Sequence, residues 1–385
     1  MPLYYIADNK IYKNENKNSE QLTLDRIENY MENSRQISRK NEWKNSGTGA
    51  RFTGTAVMTR DIEKVIESRV KVTGLCDTGS NLVYSIKFDG VSGIYTKSYD
   101  DKDKDENLII SSQDFTVSGI ACKKEKLAAS LEYTNGEKHI AIFKLPSANY
   151  NEITDGDTRE EYPFWSQTDN NLYFSSSGIA RNESGQIVAF SPKSIMKYNF
   201  DKETIDTVLE SEEFDYIFPQ TDNDGSLYCI RQPYKQKESA GSIVIDVLLF
   251  PVRLIKAILG FLNVFSILFG GESLHSGEKQ SGPYKSKQKS EKEMIFENNI
   301  INADKNMKYN SSKGDKYPGI IPRNWELIRI NSDDSVTVIK SGVLNFKIVD
   351  DGFYISNGKH IIRIDNEGDE KHVCKADMAV DINLV

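Results

Sequence analysis

The sequence predicts an all-β fold, a six-bladed β-propeller, and three observations predict it. Short strand–turn–strand units recur along the chain, their starts roughly 35 to 55 residues apart once one apolar insert is set aside. One unit, residues 161–200, is legible strand by strand. The two ends of the chain hold complementary parts of a unit, so that together they complete a blade and remove the open sheet edges. Composition agrees, because 38% hydrophobic and 10% aromatic residues give a chain of 385 residues ample core, and 19 tyrosines favour strands. A seven-bladed ring is the alternative if residues 40–69 contain a further sheet.

The legible unit reads EYPFWSQTDNNLYFSSSGIARNESGQIVAFSPKSIMKYNF. Tyr162, Phe164 and Ser166 alternate with Pro163 and Trp165 as a short strand. Thr168, Asp169, Asn170 and Asn171 then supply a tight turn, because short polar side chains tolerate left-handed backbone. Leu172, Tyr173 and Phe174 begin the returning strand. A serine, glycine and asparagine loop follows, then Ile195, Met196, Tyr198 and Phe200 as a third strand, and Thr204 to Leu209 as a fourth.

From the start of the chain, Leu3 to Ile6 turns at Asp8-Asn9 and returns as Lys10 to Lys13, with Glu20 to Leu24 as an outer strand. Residues 25–69 break the pattern with an inserted helix and loop, Ile27, Tyr30, Met31 and Ile37 lying at mostly helical spacing. The glycines of GTGARFTG lack the lysine and hydroxyl residue of a phosphate loop and read as a turn. Strand units resume with Val70 to Leu75, Leu82 to Phe88, Gly93 to Lys97 and Asn107 to Ser111. The next set is Phe115 to Cys122, Lys126 to Tyr133, His139 to Phe143 and Tyr150 to Thr154. After the legible unit come Asp215 to Pro219 and Ser226 to Arg231; this unit is interrupted and resumes at Trp325 to Ile330 and Ser335 to Ile339. Val343 to Val349, Gly352 to Ser356, His360 to Ile364 and His372 to Cys374 make one more set, and Met378 to Val385 supplies a lone first strand. The whole chain, 1–385, is thus expected to be a single propeller carrying two insertions, 25–69 and 235–323.

A resemblance supports this reading. YPFWSQTDNNLYFSSSG is similar to the repeat of the TolB-like propellers, while YYIADNKIYK and SIMKYNFDKETIDTVLES resemble the repeats of bacterial low-density-lipoprotein-receptor-like propeller domains. The resemblance implies the propeller fold and, because these families are mostly binding scaffolds, a binding role. Related propellers cap peptidases, yet this chain has no GxSxG motif and no residues left over for a hydrolase domain.

The second insertion contains SIVIDVLLFPVRLIKAILGFLNVFSILFGG, residues 242–271. On a helix, Asp246, Arg253, Lys256, Gly260 and Asn263 fall in one stripe, and every other face is apolar. Arginine and lysine at the middle of a membrane span each cost about 2.5 to 3.5 kcal/mol, so the stripe favours lying along an interface over crossing it. The docking residues are Leu248, Leu249, Phe250, Leu254, Ile255, Ile258, Leu259, Phe261, Leu262, Phe265, Leu268 and Phe269. Left in water, each would forgo about 1.5 to 3 kcal/mol. The expected partner is a membrane surface or another protein, with self-association through the same helix and packing onto the propeller itself as the other options. Lys235, Lys237, Lys279, Lys285, Lys287, Lys289 and Lys292 flank the stretch and would attract anionic lipid. Residues 272–323 read as a mobile basic linker.

No catalytic signature stands out. His139, His275, His360 and His372 sit at no ligand spacing, and the acidic run from Asp100 to Glu106 lacks the glycine and glutamate of a calcium loop. The neighbours Glu160 and Glu161 argue nothing without a cleft. No metal and no cofactor is expected. A net charge of -8 with no basic stripe argues against nucleic acid as a partner. Cys76, Cys122, Cys229 and Cys374 lie in separate apolar runs and read as buried free thiols of a reducing compartment, which, with no signal-peptide pattern at the start, implies a cytoplasmic protein, membrane-associated if the helix meets lipid. The expected function is therefore a non-enzymatic interaction scaffold that docks through its inserted helix. The alternative is an enzyme or small-ligand binder with its site at the propeller's central channel, which ionisable side chains lining that channel would favour.

Overall fold

A computed structural model of the chain describes residues 2–40, 62–99, 106–234, 293–296, 299–331, 333 and 335–384. Its strands meander as antiparallel groups. β1 (Leu3–Ala7), β2 (Lys10–Glu15) and β3 (Asn18–Gln21) form a sheet whose first strand is β27 (Val380–Leu384), in the order β27-β1-β2-β3. β4 (Lys71–Asp77), β5 (Asn81–Phe88), β6 (Val91–Ser98) and β7 (Glu106–Ser112) form the second group. The third is β8 (Phe115–Lys123), β9 (Lys126–Tyr133), β10 (Lys138–Lys144) and β11 (Tyr150–Glu152). The fourth is β12 (Thr158–Trp165), β13 (Asn171–Arg181), β15 (Ser194–Asn199) and β16 (Thr204–Leu209), with β14 (Ile187–Phe190) added to β13. A single parallel pairing, Lys138 with Arg159, joins these two groups into one sheet. The fifth is β17 (Phe214–Thr221), β18 (Leu227–Pro233), β21 (Glu326–Ile330) and β22 (Val336–Ser341), and the sixth β23 (Asn345–Val349), β24 (Gly352–Ser356), β25 (His360–Asp365) and β26 (Glu370–Lys375).

The first strands touch one another in the cyclic order β4, β8, β12, β17, β23, β27 and back to β4. The chain is a β-propeller, and β27 closes it against β1 through the pairs Leu3 with Leu384, Tyr4 with Asn383 and Ile6 with Val380. Burial follows from the arrangement. Middle strands are covered on both faces by neighbouring groups, so Leu82 to Ile86 and Leu127 to Leu131 are continuously buried and read as unbroken apolar runs rather than alternating ones. Outer strands meet water, and β3 and most of β16 are exposed.

The first insertion begins with α1 (Asp25–Lys40), followed beyond residue 61 by α2 (Ile62–Ser68). The start of α1 is held by a carboxylate from another group. Glu106 accepts from the backbone N–H of Asp25 and of Arg26 at 2.9 and 3.0 Å, a negative charge where the helix exposes unpaired donors. Tyr30 lies on Phe88, ring centres 4.8 Å apart.

Three expectations need correction. The linker expected over 272–323 is ordered in its later part: β19 (Glu293–Phe296) and β20 (Asn299–Asn302) form a hairpin, and α3 (Ala303–Ser312) follows with Asn302 as its cap. Ile301, Ala303, Ile320, Ile321 and Trp325 are buried together. Composition hid this because side-chain amides do much of the tying, Asn310 donating to the carbonyls of Gly319 and Ile321 and Asn306 to that of Ile320. The loop expected after Phe174 is in part strand, since β13 continues to Arg181 and pairs with β14. Finally, Cys76 and Cys122 are not free thiols. Packing of the second group on the third places β4 beside β8, and the two sulfurs form a disulfide across a sequence separation of 46 residues. Cys229 and Cys374 are free and buried. With two of the four cysteines joined, the thiols no longer imply a reducing compartment. Of residues 40–69, on which the seven-bladed alternative rests, those described are the end of α1, α2 and the residue after it; residues 41–61, the acidic run at 100–105 and the inserted apolar helix, with every docking residue from Leu248 to Phe269, are outside the described ones.

Candidate functional site: the central channel

A ring of first strands leaves a channel at its centre, and here the strands are not regular. Five of the first strands carry an extra residue at a matching place. It is Thr73 between Val72 and Gly74, Ser118 between Val117 and Gly119, and one of Tyr162-Pro163, Phe218-Pro219 and Asp381-Ile382 in the other three. Such bulges bend a strand and re-aim its side chains. The local sequence suits them: proline gives up no ladder hydrogen bond, and glycine follows the extra residue in β4 and β8. Where neither glycine solution is used, the backbone is strained. Tyr162, Phe218 and Asp381 have φ of 57°, 54° and 50°, left-handed values that cost a side-chain-bearing residue about 1–3 kcal/mol.

The channel encloses about 450 Å³ and is lined by residues of all six first strands, including the Cys76–Cys122 disulfide. Three lining residues are acidic or basic: Asp77, Lys347 and Asp381. Burial holds the Lys347 ammonium below the usual lysine range, opposed by the negative charges of Asp77 and Asp381. Its Nζ stands 5.8 Å from the centre of the Phe164 ring. Burial pushes the Asp381 carboxyl up to about 7, against a hydrogen bond from the Leu75 backbone and the charge of Lys347. Asp77 is oriented by Tyr99 Oη at 3.0 Å and by the Gly79 N–H at 2.8 Å. Among the described residues neither Lys347 nor Asp381 closes an ion pair.

Amides complete the wall. Gln220 bridges β17 to β23, donating to the Phe346 carbonyl at 2.6 Å and accepting from the Ile348 N–H at 3.2 Å. Asn383 donates to the Leu75 carbonyl at 3.0 Å. Asn345, also on the wall, keeps a buried Oδ1 with no partner among the described residues, an acceptor open to a guest. The hydroxyls of Thr73 and Ser118 are engaged with Ser85 and Ser130, each at 2.8 Å. The arrangement can therefore hold a polar guest by an ammonium, a carboxyl that exchanges its proton near neutrality, and an amide oxygen.

The carboxylates singled out in the sequence, Glu160 and Glu161, lie elsewhere. Glu161 accepts from Lys138 at 2.6 Å and Lys193 at 2.5 Å, with Arg159 at 3.4 Å. Burial opposes its ionisation, yet Lys193, Lys138 and Arg159 together hold its carboxyl well below the usual range. Beside it Glu160 is raised by burial, against bonds and charge from Thr158, His139 and Ser176. This is a satisfied buried cluster that ties the third and fourth groups, not an open site. His360 and His372, which no sequence spacing links, meet because β25 and β26 pair, Nδ1 to Nε2 at 3.2 Å. Among the described residues no group of three or more His, Cys, Asp or Glu side chains could hold a metal. The docking residues of 242–271 are outside the described residues, so the structure brings none of them to the channel or away from it.

No protein-family model matches the sequence, and no curated protein matches it. Solved structures do resemble the chain. A nidogen/laminin complex matches at 9% identity, over 100% of this chain and 98% of the other, with a TM-score of 0.45. TolB from Acinetobacter baumannii matches at 7% identity, over 99% of this chain and 65% of the other, with a TM-score of 0.47. At these scores the fold rests on the strand order and the ring of first strands, not on the likenesses.

One signal could have pointed to the channel. Val72-Thr73-Gly74-Leu75 and Val117-Ser118-Gly119-Ile120 repeat a pattern at the first strands of successive units, and Tyr162-Pro163 and Phe218-Pro219 repeat another. Asp77, Lys347 and Asp381 carry no such mark, since each belongs to a different unit.

Proposed function

We propose that this protein is a non-enzymatic binding propeller whose central channel takes a small polar ligand. The observation that carries the reading is the trio Asp77, Lys347 and Asp381, held without ion pairs in a channel whose backbone is strained at Tyr162, Phe218 and Asp381. Buried charges that serve only stability are paired, as at Glu161; charges kept apart and facing an opening are poised for a guest. Binding is favoured over catalysis because the lining hydroxyls Thr73 and Ser118 are engaged and the lining cysteines are joined to each other. The test is a thermal-shift screen of small amines, carboxylates, amino acids and sugars on the full chain and on Lys347→Met and Asp381→Asn. Channel ligands should raise Tm in the parent and lose at least half of that shift in a variant. Hits indifferent to both substitutions would remove the channel as the site.

The twelve docking residues named between Leu248 and Phe269 carry the second part of the proposal, docking on a membrane surface beside flanking lysines. Liposome flotation of the full chain against one lacking 242–271 tests it. Binding to anionic vesicles that disappears with the deletion supports lipid as the partner; equal behaviour of the two chains sinks it, and concentration-dependent association without lipid would point to a second copy instead.

A further inference from the structure

Outside the channel, the described residues contain a larger opening of about 860 Å³ between the third and fourth strand groups. Its rim is the two-residue turn joining β8 to β9, where Lys123 pairs with Lys126 and Lys124 sits at φ 55°, together with Lys144 at the end of β10. Its floor is apolar and largely aromatic, with Phe143, Tyr150 and Phe200. In a chain with 57 acidic and 49 basic residues, four lysines against a single carboxylate, Glu125, around one cleft are an inversion of the overall charge.

The lysines divide into two kinds. Lys123 is structural, its Nζ donating to the carbonyls of Ser166 and Asp169, each at 2.7 Å, and so fixing the turn to the next group. Lys124, Lys126 and Lys144 close no ion pair among the described residues. Lys126 is nonetheless positioned, its Nζ 5.0 Å from the centre of the Phe200 ring and 5.6 Å from that of Trp165. Ammonium groups that outnumber the one lining carboxylate, Glu125, beside an aromatic floor fit a ligand with two parts, a multiply charged anionic head and a flat apolar body.

We infer that this cleft binds an organic phosphate. A phosphoryl group carries about -1.5 to -2 charge at neutral pH and three acceptor oxygens, matching point charges that can each supply donors to it. Lys124, Lys126 and Lys144 take the phosphoryl oxygens, and the body of the ligand lies on Tyr150 and Phe200. A single carboxylate would leave most of the lysine charge unmet, and inorganic phosphate would leave the floor wet.

Titration calorimetry on the full chain, at fixed ionic strength, tests this with phenyl phosphate, inorganic phosphate and phenol as probes. Phenyl phosphate should bind one site, at least about tenfold tighter than either fragment, and weaken as salt is raised. The paired substitution Lys126→Gln and Lys144→Gln should weaken it at least about tenfold, while Lys126→Arg with Lys144→Arg, which keeps both charges, should stay within about threefold. Asp381→Asn, in the channel, should leave phenyl phosphate binding unchanged, which separates this site from the channel proposal. No saturable binding, a fragment that binds as tightly as phenyl phosphate, or indifference to the glutamine pair would each overturn the inference.

Discussion

Glu161, buried, and Asp381, half-buried on the channel wall, are both carboxylates on first strands, at or beside a bulge, and the protein treats them in opposite ways. Glu161 is surrounded by Lys138, Lys193 and Arg159, and its carboxyl sits far below the ordinary range. Asp381 has a backbone N–H and the more distant Lys347, and its carboxyl rises to about 7. Burial pushes both in the same direction; what differs is the number of cations brought within bonding distance. A buried charge that only joins two groups is paired to completion, whereas one that faces an opening is left short of partners. That contrast distinguishes mortar from site more surely than residue type does.

The largest effect should come from breaking the satisfied side. Glu161→Gln removes the carboxylate that Lys138 and Lys193 share in a buried setting, leaving Lys138 with Glu132 at 3.7 Å, and should cost about 3 kcal/mol in urea unfolding; a loss under about 1 kcal/mol would mean the cluster is not the tie described. Next is the covalent tie in the channel wall. Without reductant, thiol titration of the unfolded chain should count only Cys229 and Cys374, and reduction of Cys76–Cys122 should cost about 2–4 kcal/mol. Four reactive thiols before reduction would contradict the pairing.

The channel carboxylate sharpens the comparison through pH. Because the Asp381 value is raised from 3.8 to about 7, the folded protein holds a proton the unfolded chain releases, so this residue's contribution falls as pH climbs through that window. Asp381→Asn should therefore stabilise the protein by on the order of 1–3 kcal/mol at pH 8, with the gain vanishing near pH 4. Glu161 behaves the other way, its contribution full above the ordinary glutamate value of 4.5 and lost only in strong acid. An asparagine variant whose stability tracks the parent at every pH would remove the contrast. The smallest effect belongs to an ordinary surface pair. Lys197, 3.6 Å from Asp206 on the outer part of the fourth group, should tolerate alanine with a loss below about 0.5 kcal/mol.

Much of the fold was legible because propeller strands are short and locally connected. The turns at Asp8-Asn9 and at Thr168 to Asn171, and the runs Leu82 to Phe88 and Leu127 to Leu131, announce hairpins without reference to anything distant. The bulges were less legible. Tyr162, Phe164 and Ser166 read as simple alternation, yet Tyr162 and Pro163 together face one residue of β13, and the register slips there. The ordered segment around Ile301, Ile320 and Ile321 was missed because few apolar residues mark it and amides bind its carbonyls.

By itself, the sequence determined the strands, their hairpin order and the joining of the two ends, since each depends on the side-chain period and on neighbours a few residues away. The tertiary structure alone decided which charges are paired and which face the channel, which two cysteines meet, and which lysines share a cleft. Those depend on distances between residues of different strand groups, and a repeating chain sets such distances only when the ring closes.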